Sequence, residues 1–185
     1  MSWELNRDIL FSIKPRYVHL ILEGKKTIEV RKTKCKSVPK FRGFIYCTND
    51  LSYTLWKCDV NAFARGRAVN RPDLNCNGRI ICHCTIPVID EYKWDSENVR
   101  YDIDDDTLAK TCLTQKDLIE YGRGKTLYGY HLEHVMPYCG PTRLEEAWAW
   151  QPYKEELMIK TRIKRAPQSW CYVSGVGLPD EYKNC

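Results

Sequence analysis

From Ile9 to Lys14 apolar and polar positions alternate well enough to read as a strand, most clearly from Phe11 to Lys14. Apolar residues then recur at helical spacing at Tyr17, Val18, Ile21 and Leu22, and alternation resumes across Thr27 to Arg31. This pattern predicts strand, helix and strand in quick succession. Pro15 suits the first helical position and Gly24 a helix stop, so punctuation and periodicity agree. In the second strand Ile28 and Val30 face one way, toward a core, while Thr27, Glu29 and Arg31 face the other. Lys26 stands at the turn just before them.

Further strands are expected over Phe44 to Thr48, Arg79 to Ile89, Leu127 to Met136 and Trp170 to Val173, all rich in β-branched, aromatic or Cys residues. Thr114 can cap a second helix with Asp117 three residues on; Leu118, Ile119 and Tyr121 form its buried side and Gly122 its end. A third helix is expected from Leu144 to Trp150. Residues 49 to 77 read as irregular, and the acidic run through Asp102, Asp104, Asp105 and Asp106 as a solvated loop, because it lacks the Gly and terminal Glu of a calcium-binding hand. Several strands with a few short helices imply an α+β fold on a curled, partly closed sheet.

A chain of 185 residues suits a single domain, residues 1–185. No apolar run approaches the roughly 18 residues of a membrane span, and the charged opening residues lead into no apolar leader, so a cytoplasmic protein without a membrane partner is expected. The ten cysteines are then expected as free thiols. No Cys-x-x-Cys pair occurs, and on a strand His83 points away from Cys82 and Cys84, so neither a metal nor another cofactor is expected. Charge is uneven. Residues 1 to 48 hold eleven Lys or Arg against four Asp or Glu, residues 49 to 122 nine against thirteen, and residues 123 to 185 nine against seven. The basic surplus surrounds the Lys26 to Arg31 stretch, which is compatible with an anionic partner, nucleic acid above all.

Gly24, Lys26, Glu29 and Arg31 spell Gly-x-Lys-x-x-Glu-x-Arg, and with them this chain resembles the ASCH domain family, a branch of the PUA-like superfamily. The stretches Leu10 to Pro15, Phe44 to Thr48, Gly78 to Ile81, Tyr128 to Leu132 and Ala166 to Val173 resemble segments of stand-alone ASCH proteins of bacteria and phages. The resemblance implies a small PUA-like barrel, partly closed and flanked by short helices. It also implies a cleft beside the first helix, lined by Lys26, Glu29 and Arg31.

Two kinds of chemistry fit these residues. In a binding site, Lys26 and Arg31 hold a phosphate or a base edge while Glu29 accepts from an exocyclic amine, and Tyr128, Tyr130 or Trp56 stacks on a base. The partner is then RNA or a nucleotide in a basic cleft, as the family resemblance also implies. The alternative is hydrolysis of an acylated or otherwise modified nucleobase, since some small ASCH proteins are amidohydrolases that use the signature Lys, a Thr three residues later and a distant Glu. Here the Lys is Lys26, the position three residues on is Glu29, and the neighbouring hydroxyl is Thr27. A third reading makes the chain a protein-interaction module that uses surface Trp residues such as Trp148 or Trp150 as anchors. Among the histidines only His131, next to Tyr130, stands near the expected site, and a monomer is the default expectation.

Overall fold

The computed structural model describes residues 8–37, 40–56, 74–153 and 157–176. Strand β1 (Asp8–Ile13) runs into helix α1 (Pro15–Leu22), and β2 (Ile28–Arg31) and β3 (Phe41–Cys47) follow. Pro15 opens α1, and Gly24 turns the chain out of it at φ +72°, a conformation that costs a glycine little. Strand β4 (Arg79–Ile86) ends one residue before Pro87, and β5 (Ile89–Tyr92) resumes beyond it. The single strand expected over Arg79 to Ile89 is therefore two strands in two different sheets.

A short hairpin, β6 (Trp94–Asp95) and β7 (Arg100–Tyr101), leads to helices α2 (Asp105–Thr111) and α3 (Gln115–Gly122). The acidic run is not a loop here. Asp104 accepts a hydrogen bond from the Thr107 N–H as the α2 N-cap, and Asp105 and Asp106 sit in the first turn, where the helix dipole favours acids. Thr114 and Asp117 form a reciprocal capping box at the start of α3.

The chain continues through β8 (Leu127–His131), β9 (Glu133–Arg143), a 3-10 turn (Leu144–Glu146), β10 (Ala147–Tyr153), β11 (Leu157–Arg162) and β12 (Trp170–Val176). The helix expected over Leu144 to Trp150 is thus one 3-10 turn followed by a strand. Ala147 and Ala149 are buried while Trp148 between them is exposed, a period of two that pairs with β11 and β12.

Seven strands form one sheet in the order β11-β10-β12-β1-β3-β4-β9, three more form β2-β8-β5, and β6 pairs with β7. Among the described residues the edge strands β9 and β11 do not pair with each other, so this strand-rich α+β fold has no closed barrel. Alternation along β1 and β3 sends Ile9, Phe11, Ile13, Phe41 and Ile45 into a core shared with α1 and β8, and sends Leu10, Phe44 and Tyr46 into a second core with β10 and β12. A third cluster of Val30, Tyr92, Tyr101, Leu118 and Leu127 fills the space between the small sheet and α2–α3. Strand β2 is therefore covered on both sides, and all four of its residues are buried.

β1 and β3 are parallel, so both end on the same side of the sheet, and this arrangement creates the site. The chain after each strand contributes to one cleft, against which α3 packs from the other side. No helix among the described residues is long and apolar enough to cross a membrane.

Burial also governs the cysteines. Among the described residues Cys35, Cys47, Cys76, Cys82 and Cys84 are free and buried. Burial pushes the Cys47 and Cys84 thiols up to about 12, and Cys82 upward as well, so these side chains pack as neutral thiols. His83 turns away from its cysteine neighbours and rests 3.2 Å from the Tyr138 hydroxyl.

Candidate functional site: a buried ion triad in a cleft

Lys26, Glu29 and Arg31 come together as a nearly dry cluster. They are 2%, 5% and 8% exposed respectively. The Lys26 ammonium donates to the carbonyl of Ile28 at 2.9 Å and to that of Thr111 at 2.6 Å, and it lies 3.2 Å from Glu29 Oε2. Thr111 is the last residue of α2, so Lys26 also places its charge at the negative end of that helix.

The other carboxylate oxygen, Glu29 Oε1, accepts from Arg31 Nη1, which also reaches the Val30 carbonyl at 3.1 Å. Arg31 Nη2 donates to the Ser12 carbonyl at 2.7 Å, tying β2 to the end of β1. A guanidinium has five N–H groups, and these contacts use three. Arg31 Nε is buried with no partner, and the Arg31 side chain also hydrogen-bonds the Tyr121 hydroxyl. The Ser12 hydroxyl is a second buried polar atom without a partner.

All three triad residues line a cleft of about 660 Å³, as does Ser12. Lys14 and Tyr17 enter from the start of α1, Thr48 and Asp50 from the chain after β3, and Pro167 and Gln168 from the chain before β12. Helix α3 supplies Asp117, Glu120 and Tyr121, and the residue before its cap supplies Leu113. The two tyrosines bracket the triad. Lys26 Nζ lies 5.3 Å from the centre of the Tyr17 ring, and burial raises the pKa of the Tyr17 hydroxyl while the Arg16 charge pulls it back. Burial likewise raises the Tyr121 pKa, with Arg31 beside it acting in the opposite direction.

The basic cleft expected from the sequence is not what forms. Three cations (Lys14, Lys26 and Arg31) face four carboxylates (Glu29, Asp50, Asp117 and Glu120), because α3 and the chain after β3 bring acids to the wall. Asp117 is held as a carboxylate by its hydrogen bonds from Thr114, which lower its pKa.

Other expected site residues are placed elsewhere. Tyr130 is fully buried. Its ring meets Phe11 edge to face, and its hydroxyl donates to the Thr33 carbonyl and accepts the Cys35 N–H, so it has no surface to offer a ligand. Tyr128 is half-buried against the main core and Trp56 bridges to Asn75; neither lines the cleft. Thr27 does not line it either; its backbone N–H donates to the Lys110 carbonyl and its carbonyl accepts the Leu132 N–H. His131 pairs with Asp90 at 2.6 Å on the small sheet, apart from the cleft residues. Trp148 carries the Arg162 guanidinium 5.3 Å above its ring, and the Trp150 side chain lies outside the described residues.

No family model matches the sequence, and no curated protein matches it. Solved structures do. A crystal structure of an ASCH protein from Zymomonas mobilis superposes with a TM-score of 0.53 at 16% identity, covering 95% of this chain and 90% of that one. A substituted form of that protein gives 0.51 at 16% identity over 75% of each chain. The chain has an ASCH-type fold. At this identity the likeness is one of fold. Within this ASCH-type fold, the Lys, Glu and Arg of the signature meet in space as the sequence placed them along the chain. Tyr17 and Tyr121 escaped the sequence reading because both fall on helical apolar stripes, where a ring aimed into a cleft and a ring aimed into a core look alike.

Proposed function

We propose that this protein binds a nucleotide, or single-stranded RNA through one of its nucleotides, with the base in the cleft. The observation that carries this reading is the set of groups that line one cleft: the Arg31 guanidinium, the Glu29 carboxylate and the tyrosine rings at positions 17 and 121. A base presents a polar edge and two π faces, and these are the groups that read such an edge and stack on such a face. The mixed charge of the lining favours an uncharged base over a phosphate chain inside the cleft.

The same geometry weighs against hydrolysis led by Lys26. A general base must reach its substrate's proton, and the Lys26 nitrogen is buried, donates to two backbone carbonyls and is paired with Glu29. Lys26 instead holds Glu29 in place and ties α2 to β2.

Arg31→Lys separates charge from geometry, because it keeps the cation and removes the planar fork. The expected outcome is about a ten-fold or larger loss of affinity for the preferred nucleotide or RNA. Fluorescence anisotropy on the folded variant measures it, with circular dichroism to verify the fold. Equal affinity of variant and wild type for all four nucleoside monophosphates and for single-stranded RNA overturns the reading.

A further inference from the structure

Beyond Arg31 the chain leaves the cleft as residues 32–37, and here Lys32, Lys34 and Lys36 are all exposed while Cys35 and Ser37 turn inward. The segment has no regular secondary structure, yet its backbone is held by aromatic side chains from two sheets. The Tyr130 hydroxyl donates to the Thr33 carbonyl at 2.9 Å and accepts the Cys35 N–H at 2.8 Å. Trp170 Nε1 reaches Thr33 Oγ1 at 3.0 Å, and the Tyr172 hydroxyl accepts the Lys36 N–H at 2.7 Å. Among the described residues no carboxylate forms an ion pair with any of the three lysines. Lys32 lies 4.6 Å over the ring of Tyr121, which itself lines the cleft, so the row begins at the site.

We propose that Lys32, Lys34 and Lys36 form a phosphate track that carries the backbone of single-stranded RNA out of the cleft, toward the Trp170–Tyr172 ring pair. The proposal rests on the cleft reading and deepens it: the ligand is an RNA strand, of which one base enters the cleft. The two regions divide the ligand by charge. The cleft, with three cations against four carboxylates, takes a base, and the lysines outside it, with no ion-pair partner among the described residues, take the phosphates. Because the backbone carrying the lysines is hydrogen-bonded in place, only side-chain freedom is lost when phosphates bind. The Trp170 and Tyr172 rings, 5.1 Å apart in edge contact and partly exposed, lie where an emerging strand can stack.

The test compares wild type with the triple variant Lys32→Ala, Lys34→Ala, Lys36→Ala. Probes are nucleoside monophosphates, a mixed-sequence single-stranded RNA decamer, duplex DNA and polyglutamate, over a range of salt. Expected for the triple variant is about a ten-fold or larger loss of decamer affinity at low salt, with the log–log salt slope shallower by about 2. For a double variant Lys34→Ala, Lys36→Ala, which keeps the Lys32 contact with Tyr121 at the cleft, mononucleotide affinity is expected to stay within about two-fold of wild type while decamer affinity still falls. An unchanged decamer affinity and slope overturns the track and leaves the cleft reading standing. Duplex DNA or polyglutamate binding as tight as the decamer, and as dependent on the lysines, also overturns it in favour of a nonspecific basic surface. Decamer binding that depends on the lysines but is indifferent to Arg31→Lys keeps the track and removes the cleft.

Discussion

Glu29→Ala is expected to destabilise the fold by about 3–5 kcal/mol, read as a lower urea midpoint with an unchanged m-value. Glu29 is the only carboxylate in ion-pair contact with Lys26 and Arg31 among the described residues, and all three side chains are at most 10% exposed. Removing it leaves two buried cations with no carboxylate in ion-pair contact among the described residues. Breaking a buried pair in this way costs more than the pair contributes, because the surviving charges keep their desolvation penalty. Glu29→Gln should fall between the two, since the amide keeps one acceptor oxygen and the volume. A loss below about 1 kcal/mol for Glu29→Ala would mean that water reaches the triad freely.

Gly122→Ala sets two effects against each other, and their sum decides its sign. Gly122 closes α3, and helix propensity alone favours alanine by about 1 kcal/mol. A Cβ at this position, however, would lie 1.7 Å from the Tyr101 hydroxyl oxygen and 2.5 Å from Cζ of the same ring. Tyr101 is fully buried in the third cluster and its hydroxyl donates to the Lys125 carbonyl, so the ring has nowhere to go without breaking that bond. Overpacking wins, with an expected net loss of about 2–3 kcal/mol and a lower melting temperature. Because α3 carries Asp117, Glu120 and Tyr121, ligand affinity should fall as well. A stabilised variant would show that propensity outweighs the clash.

The parts of the fold legible in the sequence were those governed by local chemistry. Pro15 and Gly24 bracket α1, and Thr114 with Asp117 announces α3, because a cap is satisfied by residues within three positions of it. Local rules failed where pairing partners are distant. Residues 144–150 contain Leu, Glu, Ala and Trp, which a helix accepts, but the strands on either side of β10 impose a period of two. The acidic run hid α2 because Asp104 serves as a cap, and among so many acids a cap looks like a solvated loop.

For the site, the Lys, Glu and Arg were legible because they lie within six residues of one another on one turn and one strand. Its opposite wall was not. The acids and tyrosine of α3 reach the triad only because α2–α3 packs on the small sheet, a contact between residues about 90 positions apart in the chain. Tyr130 shows the converse error: a tyrosine on a strand beside the signature was expected at the ligand, and it is instead the post on which residues 33–35 hang. The aromatic faces at the cleft come from helices and not from the sheet.

The most direct test of the central claim is the resonance of the Arg31 Nε–H in protein labelled with nitrogen-15 arginine. It is titrated with each nucleoside monophosphate and with the single-stranded RNA decamer. Arg31 Nε is buried without a partner, so a ligand that engages the fork changes its surroundings at once. A saturable shift of this resonance with at least one of these ligands is the predicted result. An Arg31 signal that stays fixed at saturating concentrations of all of them would contradict the account.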